Sequence, residues 1–348
     1  MTASSQAEAD QLEGVASPEQ NTAPIVGHAA AQRHLDAILE SGRLPGAILL
    51  HGPQGIGKAT LAFAIARRIL AQTGDEDPHR VNEQISAGAH PNLYQLRRQA
   101  KDAKSFYTVI RVDEVRELRE RMRRTRGRAG YRVAIVDAID DCNPNAANAL
   151  LKTLEEPPPE TLFLMVAHRL GALLPTIRSR AIGVALRPLA AGEVEQVLAA
   201  QRPDAGSQAI SHAASLSGGR PRRGFEALAL GAEGALTSLR EWLAVPGAGP
   251  VDAPMDLADA LVAEAGGAEM SFARDLIDAW LAGEAEAAAI AGPAARTRLA
   301  SANELWEKAH ALFADADSLN LDTRQTLVAV FDAIRNHVER TSPLSEPR

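Results

Sequence analysis

Cysteine occurs once, at Cys142, which excludes a disulfide framework and every zinc site built from several cysteines. Aromatic residues make up only 4% of the chain, so its cores must be filled by aliphatic side chains, and the dominance of alanine and leucine among these favours helix. No charge-free apolar run of about 18 residues is present, which removes a membrane-spanning helix and makes a cytoplasmic protein the expectation. Positive charge is also short: the formal net charge is -7, so any contact with DNA must come from a local basic face rather than from the overall balance. Residues 1–23 lack the basic start and apolar block of a secretory signal, and their Ala, Ser, Glu and Gln content reads as a disordered leader. With 348 residues, 46% of them hydrophobic, the chain can fill two or three domain cores.

What is present is organised around Gly52-Pro53-Gln54-Gly55-Ile56-Gly57-Lys58-Ala59-Thr60, directly after the apolar run Ala47-Ile48-Leu49-Leu50. A strand that feeds a glycine-rich turn into a helix aims backbone N–H groups and the helix N-terminus at one point, which suits a polyphosphate. Gly52, Gly55 and Gly57 clear side chains from the turn, and Lys58 supplies a point charge. A complete phosphate loop then places Ser or Thr after the lysine to hold magnesium. Here Ala59 takes that place and Thr60 comes one residue late. The strand Tyr131–Asp137 ends in Asp137, where phosphate-loop enzymes put a carboxylate that supports magnesium. Ala138 follows, whereas a hydrolase of the AAA+ kind normally has a glutamate there, and Asp140 and Asp141 lie in the next loop.

Other segments order themselves around these two. Apolar spacing predicts helices over 25–41 and 61–71, a polar loop over 72–89 and a short strand over 90–96. Residues 109–132 are the most basic stretch, with Arg111, Arg116, Arg119, Arg121, Arg123, Arg124, Arg126, Arg128 and Arg132. Two readings fit it: a face for DNA phosphates, or a solvated helix laced with i,i+4 ion pairs such as Glu117 with Arg121. A third core strand is predicted over 161–168, and helical spacing over 186–230 includes the turn Ser217-Gly218-Gly219-Arg220-Pro221-Arg222-Arg223. Residues 231–254 carry Pro246, Gly247, Gly249 and Pro250 and read as a boundary or linker. Helical segments follow over 257–265, 272–281, 299–314 and 323–338, in which no chemistry is legible, and 341–348 reads as a polar tail.

The most specific segment is Asn143-Pro144-Asn145-Ala146-Ala147-Asn148-Ala149-Leu150-Leu151-Lys152-Thr153-Leu154-Glu155-Glu156-Pro157-Pro158. A polar residue caps a helix, Ala and Leu fill its buried side, and the diproline stops it. Its wording resembles the clamp-loader subunits of bacterial DNA polymerase III, and Leu174-Pro175-Thr176-Ile177-Arg178-Ser179-Arg180 resembles their Ser-Arg-Cys motif, with Ala181 in place of the cysteine. Among clamp loaders, an eroded ATP site beside an intact Ser-Arg pair is similar to the delta-prime, or stator, subunits. The resemblance covers roughly 25–223, and more faintly 319–334.

That resemblance implies an α/β AAA+ P-loop module with a parallel sheet over 24–185, a small helical lid over 186–232, and an all-α collar over 233–340 that joins subunits in a ring. It implies gamma/tau and delta subunits as partners, with the sliding clamp and primer-template DNA met through the complex. Arg180 occupies the place of the arginine that reaches a neighbour's ATP, and Arg178 is its rival. Gly52, Gly55, Gly57, Lys58, Thr60 and Asp137 become nucleotide-binding candidates, with weak ATP or ADP binding and no turnover expected. Many delta-prime subunits carry a four-cysteine zinc module; this chain has no cysteine there, so no zinc is expected. His168 stands where the family has a small polar sensor, and reads instead as a histidine packed at a strand end. In the lid turn, Arg220, Arg222 and Arg223 stand where such proteins can place an arginine on nucleotide, or form a capped basic turn. An ATP-hydrolysing AAA+ subunit, of the gamma/tau type or a DNA branch-migration motor, is the competing reading, and Ala59 and Ala138 argue against it. A plain DNA-binding protein would rest on the arginine-rich helix alone. No polymerase site is legible, so any polymerase activity belongs to the holoenzyme.

Overall fold

Ala47-Ile48-Leu49-Leu50 is apolar, too short for a stable helix and bounded by glycine on both sides, and it forms a strand buried on both faces, β1 (Ala47–His51). The computed structural model describes residues 14–102, 105–107, 109–123, 128–230, 234–246, 250, 252–264 and 267–341. After β1 come β2 (Leu93–Arg97), a short antiparallel ribbon of β3 (Ala100–Asp102) and β4 (Ser105–Phe106), then β5 (Arg132–Asp137), β6 (Thr161–Ala167) and β7 (Ile182–Ala185). Five of them join in one parallel sheet of order β2-β5-β6-β1-β7.

Strands buried on two faces need apolar residues at every position, and β6 is buried along its whole length. Its side chains alternate between two cores. Leu162, Leu164 and Val166 meet α1 (Ala29–Glu40), α2 (Lys58–Gly74) and α3 (Pro78–Ser86) through Leu35, Ile65, Ile69 and Val81. Phe163 and Met165 meet α4 (Val112–Arg123), α5 (Pro144–Glu155) and α6 (Pro175–Arg178) through Leu118, Met122, Leu150 and Ile177. Each such buried side chain contributes about 1.5–3 kcal/mol. Asn143 caps α5 by accepting from the Ala146 N–H at 2.8 Å, and Pro144 occupies the first helical position. The sheet order puts the ends of β1, β5 and β6 at the carboxyl edge, where open parallel sheets bind their ligands.

Three helices complete the first unit, α7 (Ala191–Gln201), α8 (Ser207–Leu216) and α9 (Pro221–Leu230), and bury Val194, Leu198, Ile210 and Phe225. The chain divides into two compact units near residue 230. The second is all helix: α10 (Ala235–Ala244), α11 (Ala253–Glu264), α12 (Gly267–Ile290), α13 (Arg296–Leu319) and α14 (Thr323–Thr341). Leu239, Leu257, Ile277, Leu305 and Phe331 fill its core, with the Trp242 ring 5.0 Å from Phe331. Among the described residues no helix is long and apolar enough to cross a membrane.

Three expectations need correction. The leader, expected to be disordered to Ala23, is held to its unit from its described start at residue 14: buried Arg67 donates to the Glu19 carbonyl at 2.5 Å, Arg97 pairs with the Glu19 carboxylate at 3.1 Å, and the Ala16 N–H donates to Gln201 at 3.0 Å. The expected loop over 72–89 contains α3, because Asp77-Pro78 acts as a cap and first helical residue rather than as a turn: the Asp77 carboxylate accepts from the His79 N–H at 3.1 Å. The expected linker over 231–254 contains α10, whose buried Ala235, Leu239 and Leu243 pull it into the helical core. Residues 1–13 of the leader, residues 342–348 of the tail, and Arg124 and Arg126 of the basic stretch lie outside the described residues.

Candidate functional site

The glycine-rich loop leaves the carboxyl end of β1 and enters α2 at Lys58 with Gly57 as its cap, in the left-handed region at φ 98°. Gly52 is required for a different reason: a Cβ there would lie 2.2 Å from the Leu186 carbonyl oxygen. On either side the loop is clasped by the rest of its unit. The His28 imidazole meets the Ile56 carbonyl at 2.9 Å, and the Arg222 N–H donates to the Gly55 carbonyl at 3.2 Å. The turn over residues 217–223 therefore touches the loop through its backbone, while the Arg222 side chain pairs with Glu226 at 3.2 Å. Arg223 is buried, and burial lowers the pKa of Arg220, with Glu226 opposing the shift.

Lys58 is 3% exposed, and its ammonium donates to the carbonyls of Gly52 at 2.7 Å and Pro53 at 2.5 Å. Burial pushes its pKa down to about 8, against the opposing pull of Asp137 and Asp140. Asp137, at the end of β5, is thus close enough to act on the lysine through its charge. Ala138 is buried. Ala59 and Thr60 are both half-buried on the first turn of α2, but one residue turns a helix by about 100°, so the Thr60 hydroxyl does not take the direction a hydroxyl at 59 would have.

Sequence reasoning left Asp140 in a loop. Its side chain is 3% exposed and turned inward, accepting from the N–H groups of His168 at 3.0 Å and Arg169 at 3.2 Å. It ties the turn after β5 to the end of β6 and supplies negative charge to the lysine's surroundings. The only signal for it was the doubled acid Asp140-Asp141, which does not say which acid faces inward. His168 is a strand-end histidine whose pKa falls to about 4, first through burial and then through Lys58, with Asp140 opposing. His51 is lowered by the same two causes, so a pair of neutral imidazoles borders the ammonium.

The structure brings Gly52, Gly55, Gly57, Lys58 and Asp137 together and leaves Arg180 out of the group. Arg180 is just past α6, on the exposed turn, with Nη1 donating to the Thr176 carbonyl at 2.9 Å and Nη2 paired with Glu155 at 2.8 Å. Its rival Arg178 faces another way, lining an open groove of about 430 Å³ with His51 and Ser179.

The basic stretch divides. Arg132 is buried and donates to the Met122 and Pro159 carbonyls, and Arg128 pairs with Glu76, so neither belongs to a free basic face. Arg111 and Arg116 pair with Glu114 and Asp113 at 3.1 Å each, and Arg121 lies 5.6 Å from the centroid of the Tyr94 ring. Both pairs are i,i+3 neighbours, whereas the ion-paired reading expected i,i+4 pairs such as Glu117 with Arg121.

Residues 27–190 match the family model described as DNA polymerase III, delta subunit. Over 180 residues the chain is 38% identical to the DNA polymerase III subunit delta' of Pseudomonas aeruginosa, covering 50% of this chain and 53% of that protein. This half of the chain is similar to the delta-prime subunits of DNA polymerase III. It is also 35% identical over 159 residues to the DNA polymerase III subunit gamma/tau of Mycobacterium bovis, covering 45% of this chain and 27% of that protein. A gamma subunit-related protein from Thermotoga maritima superposes with a TM-score of 0.41 at 17% identity, covering 88% of this chain and 99% of the other. The chain spans about half the length, or less, of the delta-prime relatives it matches.

Proposed function

We propose that this chain is a delta-prime-type stator subunit of a clamp loader. It keeps its phosphate loop as a scaffold, does not hydrolyse ATP efficiently, and lends Arg180 to ATP held by a neighbouring gamma/tau-type subunit. In a ring completed by a delta subunit, it helps to place the sliding clamp on primer-template DNA during replication. A permanently charged guanidinium suits that task, because it spreads donors over the oxygens of a transferring phosphoryl group.

The observation that supports this reading best is a division within one domain. The loop edge has the lysine and the glycines but alanine at both 59 and 138, while the Ser179-Arg180 turn stands exposed just past the short α6. Each alanine removes a group that hydrolysis uses to place metal or water. The similarity to delta-prime relatives over the same half supports it independently.

The loop fits phosphate oxygens, since Gly57 leaves the backbone open and Lys58 needs only to turn its ammonium from two loop carbonyls. It does not fit a hydroxyl-ligated magnesium. Weak binding of ATP or ADP without turnover is the expected behaviour, with Lys58 and the loop N–H groups holding phosphate and the His168 and His51 rings staying neutral beside it.

The deciding measurement is ATPase activity of the isolated chain, and then of an assembly reconstituted with gamma/tau and delta subunits. The chain alone should be inactive, and Arg180→Ala should slow the neighbour's hydrolysis by at least about tenfold, a threshold set below the 10³–10⁵ that arginine fingers supply. Substantial turnover by the chain alone would favour the hydrolysing AAA+ reading, and an unaffected assembly would remove the role of Arg180.

A further inference from the structure

Glu155 is the last residue of α5, a position where the helix dipole disfavours negative charge. Helix stability does not explain a carboxylate there. Its neighbour Glu156 does not share its contact: Glu155 is the one that reaches across to the turn after α6 and meets Arg180 Nη2 at 2.8 Å. The other end of the same guanidinium donates through Nη1 to the Thr176 carbonyl at 2.9 Å and to Ser179 Oγ at 3.4 Å. Arg180 is thus fixed at two nitrogens by three different residues, although it lies on an exposed turn. An arginine has five N–H donors in a planar fork, so Nε and the second hydrogen of Nη2 remain in a set direction. A long side chain on a surface otherwise samples many rotamers, and holding it in one lowers the entropy lost when it engages a phosphate.

We infer that Glu155 is a positioning residue for Arg180, orienting its guanidinium toward an anionic phosphate presented by a neighbouring subunit. The inference rests on the arginine-finger reading above and adds the residue that aims the finger. Glu155 touches no nucleotide. Its action is on the orientation of Arg180, so its loss affects the turnover of the neighbour's site and not the affinity of that site for ATP. The carbonyl of Thr176 and Ser179 Oγ keep part of the orientation, so the effect is smaller than removal of Arg180 itself.

The test is steady-state ATPase of the assembly reconstituted with gamma/tau and delta subunits, carrying Glu155→Ala, Glu155→Gln, Arg180→Ala or the Glu155→Ala/Arg180→Ala pair. Glu155→Ala should lower kcat about fivefold with KM for ATP unchanged, on the scale set by small misplacements of a catalytic group. Glu155→Gln, which keeps an oxygen acceptor at the same reach, should restore part of that loss. In the Arg180→Ala background, Glu155→Ala should do nothing more, since the two act as one unit. The melting temperature of the isolated chain should be unchanged in all variants, because an exposed ion pair contributes little to stability. If Arg180→Ala slows turnover while Glu155→Ala does not, or if the two losses add, positioning by Glu155 is wrong and the finger stands. If Arg180→Ala has no effect, the finger reading fails first.

Discussion

His337 lies fully buried in the helical unit with Nε2 3.0 Å from Glu284 Oε1. Ser301 meets the other ring nitrogen at 2.8 Å, and Arg298 holds the same carboxylate through both oxygens at 2.6 and 2.8 Å. The cluster ties α12, α13 and α14 together through polar groups inside an otherwise aliphatic core.

Glu284 is the member whose removal matters most. The bonds from Arg298, and then from His337, hold its pKa below the ordinary 4.5, with burial opposing them. A carboxylate depressed in the folded state contributes stability that is complete above its unfolded pKa and is lost as pH falls through the folded one. Glu284→Gln should therefore destabilise the chain at neutral pH by about 1–3 kcal/mol, the usual cost of leaving buried partners unmatched. The difference between variant and wild type should shrink below pH 4.5. Chemical denaturation followed at neutral and acid pH checks both the size and the direction.

Lys58 has the opposite sign. Its folded pKa of about 8 lies below the ordinary 10.5, so the folded state binds its proton less well than the unfolded chain does. The burial penalty is present at neutral pH and is relieved as pH rises through 8 toward 10.5. Lys58→Met, with a side chain that fills the same space without charge, should raise the melting temperature at neutral pH by about 2–4 °C, the shift that roughly 1 kcal/mol gives a domain of 150–250 residues. The gain should fade in alkaline buffer. The same substitution should abolish whatever nucleotide affinity the chain has, and calorimetric titration with ATP reads that loss. A gain in stability paired with loss of binding is the usual trade at a site shaped for a ligand.

How far the sequence reveals this protein depends on whether a feature is local. The strand, glycine turn and helix at 47–74 are legible because each residue's conformational preference concerns its immediate neighbours. The capped helix of Asn143–Glu155 is legible for the same reason. The second helical unit gave up its segments but not α10, since Pro246 and the glycines around it drew attention from the periodic leucines before them. Asp77-Pro78 was misread because the same pair opens turns and caps helices, and only the burial of Val81 and Ile85 decides between them. Arg132 looked like one more member of a basic face, yet it is the residue that closes the end of α4 against the Pro159 carbonyl. The contacts of Glu155 with Arg180 and of Asp140 with the end of β6 join residues 25 or more positions apart, and no spacing rule reaches them.

Asp140 offers the sharpest check on the loop edge. Its carboxylate satisfies the N–H groups of His168 and Arg169, which would otherwise be left at the end of β6. Asp140→Ala removes the acceptor and should cost about 1–3 kcal/mol in unfolding free energy, the range for losing hydrogen bonds to a charged group. Asp140→Asn keeps one acceptor oxygen and should cost less. Both variants also remove a negative charge that holds the His168 pKa up, against the burial and Lys58 that push it to about 4. The imidazole should then titrate still lower, and Lys58, which Asp140 also supports, should lose its proton at a lower pH than about 8. Proton NMR of His168 and the pH dependence of Lys58 acetylation measure these shifts separately. A His168 pKa left unchanged in Asp140→Asn would mean that the carboxylate acts there only as a backbone acceptor.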